Sequence, residues 1–407
     1  MSALVAGLFC IQPPIIHTYF YAWSEPTLLA LLLTDIFILQ VLFARPNVFS
    51  PSVELFLILL ASAAFLTRFS GICVAVLNGV MLFLYLKNAS LFQRLFRSTL
   101  QIAIPVIVFL PWLSHTGVSN GPATQRAISL HPITLSSLEY GLVTIGNWFI
   151  PAAVLQGHSM LNYAALLLGC IVVLSTFIFL FSQLIRPAFW KKGNVLHMTP
   201  VDNLLLSLAI FIFIYSAFLI AAISFVDNKV VLDNRILSPT YVCIALMVVG
   251  AIAQIKRASI RNISFVILIV ILLSTYPALR SWLLINYYNG VELSDKNFKN
   301  KPIFQFAKTC QKSAVIYAEN PWHFDLIFDS KVMWLPKTVL FNTGKINEEY
   351  SAEVSALSSR ADLVIVESIT SEVAVQVSDS KSFTQIYSAA DGLIWANIRA
   401  KHPICER

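Results

Sequence analysis

The chain has 407 residues, of which 57% are hydrophobic and only 12% charged, with a mean hydropathy of +0.74. A soluble domain carries about twice that share of charge, so no soluble fold accommodates the sequence. The net charge of +7 is divided among short basic clusters between apolar runs, a pattern of membrane-protein loops that argues against a nucleic-acid-binding surface.

A membrane-crossing helix needs about 20 mostly apolar residues. Such runs occur at 3–21, 27–44, 98–113, 161–185, 202–226, 237–255 and 262–279. No basic stretch precedes residues 1–21 and Pro13-Pro14 interrupts them, which argues against a cleavable signal peptide. The run 54–86 would extend about 50 Å as a single helix, against a hydrocarbon layer of about 30 Å. Thr67-Arg68-Phe69-Ser70-Gly71 breaks it, which predicts two short helices turning at Arg68. Residues 1–285 thus read as a transmembrane domain of about nine segments. Within it, loop 114–160 is too long for a simple connection. Its second half, Leu138 to Leu155, is apolar and aromatic, as in a segment lying along the membrane surface.

Residues 286–407 regain charge. β-Rich runs at Ala314 to Ala318, Val332 to Leu335, Leu363 to Val366 and Leu393 to Ile398 alternate with helical patterns near Ile303 to Lys312 and Glu348 to Ser359. This predicts a small α/β domain. No GxGxxG or P-loop appears, so nucleotide binding lacks support.

Orientation follows from the basic residues. Lys87, Arg94 and Arg97 share one connection; Arg186, Lys191 and Lys192 a second; Lys256, Arg257 and Arg261 a third. Counting spans puts all of them, and Arg45, on one side, which is therefore cytoplasmic. Trp23-Ser24-Glu25, the turn at Arg68, loop 114–160, loop 227–236 and the α/β domain fall on the other side. Cys10, Cys73, Cys170 and Cys243 lie in or beside apolar segments and read as small buried hydrophobes. Cys310 and Cys405 fall in the tail, where an extracytoplasmic location would permit a disulfide. No Cys/His spacing suggests a metal site.

Ionisable groups in or beside spans are costly and are often functional. Glu25, before Pro26, is either a carboxylate facing an outer site or a helix-start acid complementing the macrodipole. Arg68 is either a phosphate ligand or an interfacial snorkelling residue. Arg235, in Asp233-Asn234-Arg235, is either a clamp on a lipid phosphate or a boundary arginine, although outer-side arginines are disfavoured. Asp35, inside a span, reads as polar glue between helices. His131, Glu139 and His158 could serve acid–base chemistry or simply be solvated.

Three stretches resemble the polytopic C-type glycosyltransferases, the superfamily of protein mannosyltransferases and bacterial aminoarabinose or lipid-sugar transferases. They are Ala22-Trp23-Ser24-Glu25-Pro26, Leu66-Thr67-Arg68-Phe69-Ser70-Gly71 and Asp233-Asn234-Arg235-Ile236-Leu237-Ser238-Pro239. Glu319-Asn320-Pro321 and Trp334-Leu335-Pro336 resemble the small outer domain of bacterial members. The resemblance implies transfer of a sugar from a polyprenyl-phosphate donor to a lipid, glycan or protein acceptor on the outer face, with Mg or Mn as cofactor. It implies that Arg235, and secondarily Arg68, hold the donor phosphate, and that Glu25 lines the acceptor or metal side. The family's catalytic acid sits in a first outer loop that has no counterpart before Glu25. Three alternatives follow, a truncated gene product, a mis-called start or a member that has lost catalysis, and the catalytic residue stays unassigned. A transporter or flippase of lipid-linked intermediates, or a non-catalytic envelope scaffold, are the rival readings. Inverted repeats, which would favour transport, are not seen.

Overall fold

A computed structural model of the chain describes residues 2–10, 24–44, 50–86, 89–119, 132–150, 159–185, 199–226, 230–274 and most of 300–399, with isolated positions elsewhere, Gln12 and Cys405 among them. Two compact units divide it, a helical one that runs to Ser281 and a second that holds the chain from Trp282 onward.

The helical unit contains α1 (Ser2–Cys10), α2 (Glu25–Ala44), α3 (Pro51–Thr67), α4 (Ile72–Tyr85), α5 (Leu91–Ser119), α6 (Leu135–Asn147), α7 (Ser159–Ile185), α8 (Pro200–Phe225), α9 (Asn234–Ala253) and α10 (Ala258–Ser274). Five of these, α2, α5, α7, α8 and α9, are long and apolar enough to cross a membrane, and α3, α4 and α10 are shorter apolar helices. Helix α8 lies against α2, α4, α7 and α9 and buries Leu208, Phe211, Tyr215, Leu219 and Ile223. Helix α2 buries Leu28, Leu32, Ile36 and Leu39 while Leu33 and Phe37 face outward. An apolar outer face is what a helix needs when lipid rather than water surrounds it. On α7, Leu167, Ile171, Leu174, Ile178, Phe181 and Ile185 form an outward stripe, each more than half exposed.

The break predicted in 54–86 is present. Helix α3 ends at Thr67, Phe69–Gly71 forms one 3₁₀ turn, and α4 begins at Ile72. Three other expectations need correction. The run 3–21 is not one helix, because α1 stops at Cys10. Gln12 sits at the interruption and donates to the Leu8 and Leu272 carbonyls at 3.1 and 3.2 Å; prolines follow it and cannot supply helical N–H groups. Arg94 and Arg97 do not lie in a loop, because α5 starts at Leu91. Arg94 donates to the Phe83 carbonyl at 2.8 Å, near the end of α4, where a cation complements the helix dipole. Arg97 is paired with Glu54 of α3. Segment 114–160 is also not one loop. Helix α5 continues to Ser119, and α6 packs along α7. The approach depends on glycine: a Cβ at Gly146 would lie 1.8 Å from the Ala165 carbonyl oxygen, and one at Gly169 2.0 Å from that of Leu142.

The second unit is α/β, as its alternating pattern predicts. Its elements are α11 (Pro302–Ala307), β1 (Ile316–Ala318), α12 (Pro321–Phe324), β2 (Met333–Trp334), α13 (Tyr350–Arg360), β3 (Leu363–Val366), α14 (Glu372–Ser378), β4 (Phe383–Ala389) and β5 (Gly392–Asn397). The sheet order is β2-β1-β3-β5-β4. β1 runs parallel to β2 and β3, and β5 antiparallel to β3 and β4. Along β3, Leu363 and Ile365 enter one core while Val364 and Val366 enter the other, as the two-residue period of a strand requires. At the β4–β5 turn, Tyr387 donates to Asp391 at 2.8 Å, and the same carboxylate accepts from the Ile303 backbone. Burial and this carboxylate push the Tyr387 phenol up to about 12.

Cys310 and Cys405 are joined in a disulfide across a separation of 95 residues. A bridge closing a long loop restricts the unfolded chain. Replacing both cysteines by serine should destabilise this unit by about 2–5 kcal/mol. Hydrogen exchange at β3 and β5 should accelerate accordingly, and unchanged protection would show that the bridge adds nothing.

Candidate functional site

Two helix starts and the turn between α3 and α4 meet at one end of the helical unit. Each supplies one charged side chain.

The first is Glu25, at the start of α2. Leu28 N–H donates to the Ser24 carbonyl at 3.0 Å, which closes the first turn. Pro26 loses nothing there, since first-turn N–H groups have no helical partner. The Glu25 side chain is only 2% exposed.

The second is Arg68, the residue between α3 and the 3₁₀ turn, with extended backbone angles (φ −160°, ψ 142°). Its N–H donates to the Ala64 carbonyl at 3.0 Å and its own carbonyl accepts from Gly71 N–H at 2.8 Å. A Cβ at Gly71 would lie 2.1 Å from the Ala64 carbonyl oxygen, so the turn that aims Arg68 requires glycine.

The third is Arg235, in the first turn of α9. Asp233 caps this helix, accepting from Ile236 N–H at 2.9 Å. Pro239 has no N–H to offer the Arg235 carbonyl, and the Ser238 hydroxyl donates to it instead at 2.8 Å. The Tyr215 hydroxyl donates to the Ile236 carbonyl at 2.7 Å. Trp148 Nε1 donates to Asn234 Oδ1 at 2.9 Å, and its ring meets Tyr241 edge-on at 5.1 Å. Helices α6, α8 and α9 together therefore fix the backbone that carries Arg235.

The three charges converge. Arg68 makes an ion pair with Glu25, and Arg235 Nε lies 3.7 Å from the same carboxylate oxygen. The arginines are 23% and 36% exposed. Both arginine side chains are thus partly exposed while the Glu25 side chain is buried. Tyr215 and Ser70 border the cluster, the Tyr215 phenol being within electrostatic reach of Arg68 and Glu25. Two guanidinium groups face the one carboxylate of Glu25. The positive ends of α2 and α9 lie at Glu25 and Arg235, while Arg68 follows the negative end of α3. Such a site suits an anion, and phosphate above all, whose oxygens match the guanidinium fork.

Glu25, Arg68 and Arg235, each singled out in the sequence, are thus brought together. Asp35 is elsewhere: fully buried, it accepts from Asn78 Nδ2 at 2.9 Å, and Asn78 also reaches the Leu57 carbonyl at 3.4 Å. That network links α2, α3 and α4 and fits the structural reading. Glu139 is exposed on α6. His131 and His158 lie outside the described residues. Tyr215 and Trp148 went unrecognised in the sequence. Their signal, a polar-tipped side chain within or beside an apolar run, is shared by many structural residues.

Beside Glu25, two guanidinium groups face the carboxylate that a divalent metal would need as a ligand. Among the described residues, no group of three or more His, Cys, Asp or Glu could hold a metal ion.

In the second unit, Glu319 accepts from the Glu367 and Ser368 backbone N–H groups, both at 3.0 Å. Glu367 in turn accepts from Asn320 at 2.6 Å and lies 2.9 Å from His323 Nδ1. This network ties the ends of β1 and β3 together, and its polar groups satisfy one another.

No family model matches the sequence, and no curated protein matches it.

Proposed function

We propose that this chain is a membrane glycosyltransferase that moves a hexose or pentose from a polyprenyl-phosphate donor to a lipid, glycan or protein acceptor on the extracytoplasmic face. One observation carries the reading. The three stretches that resemble the C-type glycosyltransferases lie far apart in sequence, yet their charged residues share one site. Arg235 and Arg68 hold the donor phosphate, and Glu25 fixes the guanidinium groups from below. The base that activates the acceptor is unassigned.

In this reading the chain is multi-pass in a plasma or inner membrane. The short helices α3, α4 and α10 count among about nine membrane segments. The second unit is extracytoplasmic; the Cys310–Cys405 disulfide supports this, since such bonds persist in oxidising compartments.

The test is a transfer assay on the full chain in lipid nanodiscs, with radiolabelled polyprenyl-phosphate sugars and a panel of acceptors. Label should leave the carrier with wild type and stay on it with Arg235→Ala. Wild-type protein that is well inserted yet neither binds nor discharges any of these donors would overturn the reading.

A further inference from the structure

A polar pair inside the helical unit is short of one hydrogen. Asp35 of α2 and Asn78 of α4 are both fully buried. Asn78 Nδ2 donates to Asp35 Oδ1 at 2.9 Å and to the Leu57 carbonyl at 3.4 Å. Both amide hydrogens are thereby used, and the two acceptors fix which end of the amide is nitrogen. Two oxygens are left over. Asp35 Oδ2 and Asn78 Oδ1 are buried and have no hydrogen-bond partner among the described residues. With the carboxyl ionised, both are acceptors and neither can serve the other. Nor does a cation pair with Asp35 among the described residues. Arg97 pairs with Glu54, and Arg68 and Arg235 lie at the start of α2, about 15 Å along the helix from Asp35. A carboxylate buried without a cation is so costly that such groups take up a proton instead.

We infer that Asp35 is a buried proton-binding site: its Oδ2 carries a proton that Asn78 Oδ1 accepts, so that acid and amide are joined by two hydrogen bonds. One proton turns the first orphan oxygen into a donor for the second. A metal cation such as Mg or Ca would draw on about six or more oxygens. The protonated pair is neutral and leaves no buried charge. Its place in the fold gives it a role. Helix α2 begins at Glu25, and α4 follows directly on the turn that carries Arg68. The pair joins these two helices, and α3 through Leu57, so it positions Glu25 and Arg68 against each other. This role is independent of what the chain transfers.

The experiment is infrared spectroscopy of the full chain in lipid nanodiscs at neutral pH, with isotope-labelled aspartate. Wild type should show the carbonyl band of a protonated carboxyl that shifts with the label and is missing in Asp35→Asn. Hydrogen exchange across residues 68–71 reads the positioning role. Asp35→Asn is neutral, donates to Asn78 Oδ1 and accepts from Nδ2, so it should exchange there as wild type does. Asp35→Leu pairs with neither atom and should exchange about 5- to 100-fold faster, the cost of an unpaired buried amide. A wild-type spectrum without the labelled band means an ionised Asp35 and overturns the inference, whatever the variants do. So does thermal stability of wild type that rises with sodium chloride but not with choline chloride, which would put a metal cation between the two oxygens. Asp35→Asn exchanging as fast as Asp35→Leu, or Asp35→Leu exchanging at the wild-type rate, overturns the positioning role. If Asp35→Leu fails to fold, the labelled band and the exchange of Asp35→Asn still decide.

Discussion

Arg235→Ala should weaken binding of a polyprenyl-phosphate sugar by about 1.5–3 kcal/mol, the range for hydrogen bonds to charged groups, or roughly 10- to 150-fold. The size of the effect rests on how the residue is held. Its helix start is fixed by the Asp233 cap, by Ser238 and by Tyr215, so truncating the side chain removes the ligand without moving the backbone. Arg235→Lys should recover only part of the loss, because an ammonium keeps the charge but not the planar fork. Titration of nanodisc-embedded protein with labelled donor checks both variants. Equal affinity in wild type and Arg235→Ala would remove this residue from the site.

Gly71→Ala should be nearly as damaging, although it adds a single methyl group. The new carbon would sit 2.1 Å from the Ala64 oxygen and 2.5 Å from the Phe65 nitrogen. Both are backbone atoms, so no side-chain rotation relieves the clash. The 3₁₀ turn must shift, and the Arg68–Gly71 hydrogen bond at 2.8 Å goes with it. Overpacking of this kind costs about 1–3 kcal/mol. The affinity for donor should fall as well, because Arg68 is aimed by that turn. Thermal unfolding and donor titration on the same sample give the two readouts. Wild-type values for both would show that the turn has slack. The Ala64–Phe65 contact makes that outcome hard to reconcile with the geometry.

Much of this site was legible in the sequence because expensive residues mark it. An arginine that interrupts a 33-residue apolar run, and another beside an apolar span, cannot be ignored. Grouping the basic clusters by side also puts Glu25, Arg68 and Arg235 on one side of the spans, and in the structure the three side chains meet. The pairing itself was not legible, because nothing in spacing says that Glu25 sits beneath both guanidinium groups.

The misses have physical causes. Helix α5 begins at Leu91, before the apolar stretch, because Arg94 and Arg97 find partners in Phe83 and Glu54, so charge did not end the helix. Helix α6 was hidden in a presumed loop, since its Gly141 and Gly146 lower helix propensity and are there for close packing. Strand β4 was missed because it lies at the sheet edge, and Thr384, Gln385 and Ser388 face solvent, leaving no clean alternation.

The most direct measurement is photo-crosslinking of a polyprenyl-phosphate sugar with a diazirine beside the phosphate, followed by peptide mapping of the full chain. Adducts should fall within residues 66–72 and 233–239 and should vanish in competition with unlabelled donor. Competable adducts confined to other helices, with none in these two segments, would contradict a phosphate held by Arg68 and Arg235.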